Sequence, residues 1–160
     1  MKVGITGHQI ISDPEWVSAA IRKTLASFQT DVTGFTSLAA GADQLFAKSV
    51  LEAGGELTAI IPFEDYEEVF DSSEKKIDYN ALLNKVKNKI ILKKQKTNEE
   101  SYLLAGMEVV NLSDLLIAVW NGKPAKGLGG TADIVEYAIH NKKPLIHINP
   151  ETLEIISIKN

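Results

Sequence analysis

Short apolar runs alternate with helix-like segments along almost the whole of this 160-residue chain. The runs are continuously apolar, a pattern typical of parallel strands that are buried on both faces. Because such strands alternate with helices, the sequence predicts an α/β fold: a doubly wound, mainly parallel sheet flanked by helices. The predicted strands are residues 2–6, 35–39, 57–61, 89–92, 115–120 and 144–148, with an extra edge strand at 154–158 near the C-terminus.

The segments between the predicted strands carry helix signals. Asp13 is a candidate N-cap ahead of Pro14, and apolar residues then recur at helical spacing as far as Phe28. The length predicts a single domain, residues 1–160. The charged segment 63–96 is interpreted either as a solvated face or as a lid. We expect the strand interiors to form the core, with the following residues buried: Val3, Ile5, Ile60, Leu116, Ile117, Val119 and Ile146.

Four loops of unusual composition each follow a predicted strand. They are Gly7-His8 after the first strand, 40–43 after the second, Pro62-Phe63 after the third and 120–131 after the fifth. The carboxyl ends of parallel strands meet at one edge of the sheet, where open α/β sheets bind their ligands. The sequence therefore predicts a binding site that these four loops share.

The last of these loops holds three glycines within Gly127–Gly130, directly before a predicted helix. Glycine loses much backbone entropy on folding, so such a cluster indicates a sharp bend or a close approach. One interpretation is an ordinary loop with Thr131 as the helix N-cap. The other is that backbone N–H groups at the helix start face a phosphate. The loop is neither a P-loop nor a G-x-G-x-x-G motif, and the first strand lacks that motif as well.

Two other loop residues also have two interpretations. Asp43 is either an acidic residue stabilised by the dipole of its helix or a functional carboxylate. His8 is either merely exposed or part of the site. We interpret His140 and His147 as structural or solvated. No two histidines have ligand spacing, so we expect neither a metal site nor a resident cofactor.

Composition limits the class of protein. The chain has no cysteine, a formal net charge of −4 and a single arginine, Arg22. Excess negative charge makes nucleic acid an unlikely partner, because nucleic-acid-binding domains usually carry a basic footprint. Without a signal-like leader or a long apolar run, we expect a cytoplasmic protein with no membrane association.

Four segments resemble the SLOG superfamily, the Rossmann-like domains related to Lonely Guy phosphoribohydrolases, molybdenum-cofactor carrier proteins and DNA-processing protein A. They are "GITGH", "SLAAGADQLFA", "AIIPF" and "LSDLLIAVWNGKPAKGLGGTADIVEYA". The resemblance covers nearly the whole chain and is weakest at 63–98. It implies a Rossmann-like, nucleotide-binding domain, and it leaves open whether the domain is an enzyme.

Lonely Guy hydrolases cleave the N-glycosidic bond of a nucleoside monophosphate and carry a signature similar to "PGGxGTxxE". Gly130-Thr131 matches its central Gly-Thr, Asp133 falls at an acidic position, and Leu128 replaces one glycine. The arginine of the family would fall near Leu103, where this chain has none. The resemblance thus implies Asp43 and Asp133 as candidate catalytic carboxylates, with the phosphate left to Lys123, Lys126 or backbone amides.

Three hypotheses follow. The first is a sensor or carrier that binds a nucleotide or a nucleotide-like small molecule. The second is a hydrolase or transferase that acts on the N-glycosidic bond of a nucleoside monophosphate. The third is a purely structural domain that forms a homo-oligomer and carries a vestigial pocket. The candidate ligand-binding residues are Gly7, His8, Gly41, Ala42, Asp43, Pro62, Phe63, Tyr66, Trp120, Gly122, Lys126, Gly129, Gly130 and Thr131.

Overall fold

The computed structural model describes residues 1–159, in which a seven-stranded sheet lies between two layers of helices. No helix in this part of the chain is both long and apolar enough to cross a membrane. The elements, in chain order, are β1 (Lys2–Gly7), α1 (Pro14–Ala26), β2 (Thr33–Thr36), α2 (Ala42–Glu52), β3 (Glu56–Ile61), a short 3-10 helix (Tyr66–Val69), α3 (Ser73–Leu83), β4 (Asn88–Ile91), α4 (Asn98–Leu112), β5 (Leu115–Val119), α5 (Thr131–His140), β6 (Leu145–Asn149) and β7 (Glu154–Ile158).

The strand order is β4-β3-β2-β1-β5-β6-β7. All neighbouring strands are parallel except β7, which pairs antiparallel with β6. From β1, the chain adds β2, β3 and β4 on one side of the sheet. It then crosses back through α4 and adds β5, β6 and β7 on the other side of β1, so the strand order reverses between β1 and β5. The predicted doubly wound, mainly parallel sheet with a C-terminal edge strand is confirmed.

Apolar side chains on the two faces of the sheet form two clusters. One lies under α1, α2 and α3, and the other lies under α4 and α5. Six of the seven predicted core residues are buried, but Ile146 is only half-buried. Ile155, on the same face of neighbouring β7, is exposed, which shows that the helix layer ends near Ile146.

The second strand begins and ends earlier than predicted. β2 ends at Thr36, and the predicted strand residues 37–39 leave the sheet as a loop in which Leu38 has a φ of 57°. The Thr36 hydroxyl oxygen accepts the Leu38 amide at 3.0 Å, and a carboxylate oxygen of Asp43 accepts the Ser37 amide at 2.9 Å. Side-chain acceptors therefore capture the amides that a longer strand would need.

The charged segment after β3 is anchored by an aromatic cluster. Tyr66, Phe70 and Tyr79 contact one another at ring-centroid distances of 4.9 to 5.6 Å. Tyr66 also contacts Phe63 and Tyr102. Tyr79 is 1% exposed, which fixes α3 against the core. The polar composition of the segment concealed these buried rings, and they favour a fixed wall over a mobile lid.

Candidate functional site

A cleft of about 900 Å³ opens at the carboxyl ends of the central strands, where the strand order reverses. Its lining comes from the loops after β1, β2, β3, β5 and β6. A smaller cavity of about 320 Å³ lies at the opposite edge of the sheet, between the ends of α1 and α2, and contains none of the predicted site residues. The larger cleft is therefore the candidate site, in the position where doubly wound sheets bind ligands.

The structure brings ten of the predicted site residues to this cleft and places five outside it. The residues in the lining are Gly7, His8, Asp43, Pro62, Tyr66, Trp120, Lys126, Gly129, Gly130 and Thr131, and those outside are Gly41, Ala42, Phe63, Gly122 and Asp133. The four loops thus line one cleft, but not every residue of each loop faces it.

Gly41 and Ala42 join two loops together below the cleft. Gly41 has a φ of 84°, and a β-carbon at this position would lie 2.4 Å from the carbonyl oxygen of Gln9. The Ala42 amide donates to the carbonyl oxygen of His8 at 3.1 Å. The glycine is needed because the β1–α1 loop leaves no room for a side chain.

Gly129 has a comparable structural role in the glycine-rich loop. Its φ is 79°, and a β-carbon would lie 2.8 Å from the carbonyl oxygen of Glu99 and 2.9 Å from the backbone nitrogen of Leu103. The Gly129 amide donates to the Asp133 carboxylate at 2.8 Å. The loop therefore approaches the backbone of α4 closely, and Asp133 holds its own loop instead of lining the cleft.

The next three backbone amides remain unpaired. Within residues 1–159, the N–H groups of Gly130, Thr131 and Ala132 have no hydrogen-bond acceptor, and all three residues line the cleft. Gly130 is the N-cap of α5 and Thr131 is its first residue, so the interpretation of Thr131 as N-cap is wrong. These amides form the positive end of the helix dipole, a geometry that favours an anion.

Side-chain charge beside the amides is partly neutralised. The Lys123 ammonium lies 2.8 Å from a Glu151 carboxylate oxygen, and the Asn121 side-chain amide donates to the same carboxylate at 3.0 Å. The hydrogen bond from Lys123 lowers the pKa of Glu151 below its usual value. Lys126 is exposed and has no ion-pair partner in the described chain, so it is the available cation on this side of the cleft.

Asp43 lies in the first turn of α2 with its side chain buried at the floor of the cleft. Its Oδ2 atom accepts the Thr36 hydroxyl and the Ser37 amide, each at 2.9 Å. Burial raises the pKa of Asp43 to about 6, and these hydrogen bonds only partly oppose the shift. Asp43 thus stabilises the β2–α2 loop and also presents a group that titrates near neutrality to the cleft.

His8 contacts the loop after β5. Its Nε2 atom accepts the backbone amide of Asn121 at 3.1 Å. A nitrogen that accepts carries no proton, so we expect the neutral His8 ring to hold its proton on Nδ1.

Long-range ¹H–¹⁵N NMR spectra would check this tautomer. His147 is an internal control, because its Nε2 atom lies 2.7 Å from the carbonyl oxygen of Trp120 and must carry the proton when neutral. Opposite tautomers for the two rings are the expected result. An Nε2-protonated His8 would show that the contact with the Asn121 amide is absent.

Several cleft residues were not predicted from the sequence. Tyr102 projects from α4, Phe70 from the segment after β3, and Asn121 and Glu151 from the loops after β5 and β6. The Asn149-Pro150 turn was a usable signal for Glu151, because it marks the carboxyl end of β6. Tyr102 had no local signal, since only the return of α4 across the sheet brings its ring to the cleft.

No protein-family model matches the chain, and no curated protein matches it. Solved structures do resemble it, three of them as follows. DNA processing protein A from Streptococcus pneumoniae is 17% identical over 91% of this chain and 49% of that protein, with a TM-score of 0.66. The Helicobacter pylori protein, described by its single-stranded DNA binding mode, is 17% identical over 92% and 64%, with a TM-score of 0.62. A molybdenum cofactor binding protein from Rippkaea orientalis is 19% identical over 92% and 76%, with a TM-score of 0.59.

At 17 to 19% identity, these similarities show a shared fold. The chain spans about half the length of the S. pneumoniae protein. Because one neighbour binds single-stranded DNA, the expectation that nucleic acid is an unlikely partner is not supported. DNA-processing protein A and molybdenum-cofactor proteins are among the relatives that the sequence motifs indicated, and this chain shares their Rossmann-like fold.

Proposed function

We propose that this protein binds a phosphorylated, nucleotide-like small molecule in the cleft and acts as a sensor or carrier. The observation that carries the proposal is the set of three unpaired amides at the start of α5, at Gly130, Thr131 and Ala132. A phosphate placed there would accept hydrogen bonds that the protein itself leaves unmade. The binding of molybdenum cofactor by a structural neighbour is consistent with this role.

The rest of the cleft suits the remainder of such a ligand. Its volume of about 900 Å³ lies within the range of small-molecule sites. The rings of Tyr66, Phe70 and Tyr102 lie in the lining and offer apolar surface to a flat heterocycle. Asp43 and His8 add a buried carboxyl group and a ring donor that could fix the orientation of the ligand.

Hydrolysis of an N-glycosidic bond is the second candidate function. Asp43 favours it, because a cleft residue with a pKa raised to about 6 is suited to proton transfer. Asp133 does not, because its carboxylate is held by the Gly129 amide away from the lining. The arginine expected near Leu103 is also absent from the sequence.

Thr131→Pro tests the phosphate site while preserving the helix. Thr131 is the first residue of α5, where proline is well tolerated, and Gly130 before it has a ψ of 169°, which suits a residue preceding proline. The variant loses one donor amide and the hydroxyl. We expect it to weaken binding of nucleoside monophosphates by roughly 10- to 100-fold, the value of a hydrogen bond to a charged group, and to leave nucleoside binding unchanged.

Calorimetric titration with AMP, GMP and their nucleosides would measure this difference. Ser73→Pro is the matched control, because Ser73 is the first residue of α3 and does not line the cleft. Equal affinities of wild type and Thr131→Pro for the monophosphates would contradict the proposal. It would also be contradicted if the protein bound a single-stranded oligonucleotide tightly and bound no mononucleotide. Chromatography of incubated monophosphates separates a binder from a hydrolase, since only a hydrolase releases the free base.

A further inference from the structure

The two edges of the sheet differ in how their sequences protect them. The β4 edge carries lysines within and beside the strand, at Lys87, Lys89 and Lys93, all exposed. The last four residues of β7, 155–158, are three isoleucines and one serine, and charged residues stand only at the two ends of the strand, at Glu154 and Lys159. Open edges attract other strands, and charged side chains or prolines normally prevent this. β4 has such a charge inside the strand, at Lys89, whereas the charges of the β7 edge stand only at its two ends.

β7 also exposes apolar side chains on both faces of the sheet. Ile155 is 42% exposed and Ile156 is 48% exposed, and they lie on opposite faces because successive strand residues alternate. Continuously apolar sequence is typical of an interior strand, covered on both sides. The composition of β7 is therefore that of an interior strand, although the strand stands at an edge.

We propose that β7 pairs antiparallel with β7 of a second copy of this chain, around a twofold axis perpendicular to the sheet. Such an axis leaves the same face of the sheet upward in both copies. Directly paired residues must point to the same face, so their residue numbers differ by an even number. The register centred on Ile156 places Ile156 opposite its equivalent, Ile155 opposite Ser157 and Glu154 opposite Ile158. No like charges meet in this register, so the strand is complementary to itself.

Pairing with a second copy would also cover the β7 edge of both chains. Two seven-stranded sheets would join into one of fourteen strands, whose two outer edges are both the lysine-bearing β4. The twofold interface closes on itself and does not propagate. A five-residue strand contributes a small interface, so the dimer belongs to the weak class that buries less than about 1,200 Å².

Sedimentation velocity over protein concentrations from about 1 µM to about 500 µM tests the dimer. Wild type should shift from monomer to dimer, and Ile156→Lys should weaken association at least roughly tenfold by placing two ammonium groups opposite each other. Ile91→Lys on β4 is the matched control, with a starting residue 43% exposed, and should leave the equilibrium unchanged. A wild type that stays monomeric, or an Ile156→Lys variant that still dimerises, would overturn the proposal.

Hydrogen exchange on unmodified protein decides the question even if the lysine variant does not fold. Alternate amides of β7 face away from β6, and in the dimer they donate to the second copy. Their exchange should slow as the protein concentration rises, while exchange in β4 stays constant. Concentration-independent exchange in β7 would rule out the pairing. Ligand binding is unaffected by either outcome, because the residues of β7 do not line the cleft.

Discussion

Gly41→Ala is expected to lower the free energy of unfolding by about 3 kcal/mol or more. Two costs combine at this position. Gly41 has a φ of 84° and a ψ of −124°, a conformation that other residues rarely adopt. A β-carbon would also lie 2.4 Å from the Gln9 carbonyl oxygen and 2.5 Å from the His8 carbonyl oxygen. The β1–α1 loop would have to move, and the hydrogen bond from the Ala42 amide to His8 would weaken.

Urea unfolding of Gly41→Ala and Gly54→Ala compares a glycine whose β-carbon would collide with the backbone and one whose β-carbon would not. Gly54 has a φ of 76°, but a β-carbon there would meet no atom within 4 Å. Gly54→Ala should therefore lower the free energy of unfolding by only about 1 kcal/mol. The strain of a positive φ destabilises the folded state, and the lower conformational entropy of the unfolded chain offsets part of this loss. Equal losses in the two variants would show that the β1–α1 loop yields readily, and Gly41 would then need another explanation.

Asp43 is expected to make stability depend on pH between about pH 4 and pH 6. Burial raises its pKa from 3.8 to about 6 in the folded protein. The folded state therefore binds more protons than the unfolded state in this window, and the contribution of Asp43 to stability falls as the pH rises. The shift of about two units corresponds to about 3 kcal/mol.

Asp43→Asn should remove this dependence. The amide oxygen of asparagine can still accept from Thr36 and Ser37, but the side chain has no charge to bury. We expect the variant to be more stable than wild type at about pH 8, by up to about 3 kcal/mol, and the difference to disappear near pH 4. Urea unfolding of both proteins across this range measures the difference.

Thr36→Val provides a directional control for the same effect. The Thr36 hydroxyl donates to Asp43 and lowers its pKa, so its loss should move the pH-dependent window upward. A stability difference between wild type and Asp43→Asn that does not change with pH would contradict a raised pKa. It would leave Asp43 as a purely structural acceptor and weaken the hydrolase alternative.

Local sequence patterns were sufficient to predict the sheet and the position of the cleft. β3, β5 and β6 are largely apolar runs, and β7 lies at the predicted residues 154–158. Parallel strands with helical crossovers bring their carboxyl ends to one edge, so loops that are far apart in sequence could be assigned to one cleft. These predictions depend on strand direction, which follows from the alternation of strands and helices along the chain.

The direction of each side chain at the site was decided by tertiary contacts. Gly129 signals a bend in the sequence, but only the structure shows that the bend approaches α4. Asp133 follows the glycines, yet its carboxylate binds the Gly129 amide and leaves the next three amides unpaired. The extent of β2 likewise depended on side-chain acceptors at Thr36 and Asp43.

The sequence by itself therefore determined the layers, the mainly parallel sheet and the edge where a ligand would bind, because these follow from hydrophobic periodicity and from the alternation of strands and helices. The tertiary structure alone decided which groups face the cleft. Hydrogen bonds and close packing between segments distant in the chain orient each group, as when the return of α4 brings Tyr102 to the site. Such contacts leave no pattern in the local sequence.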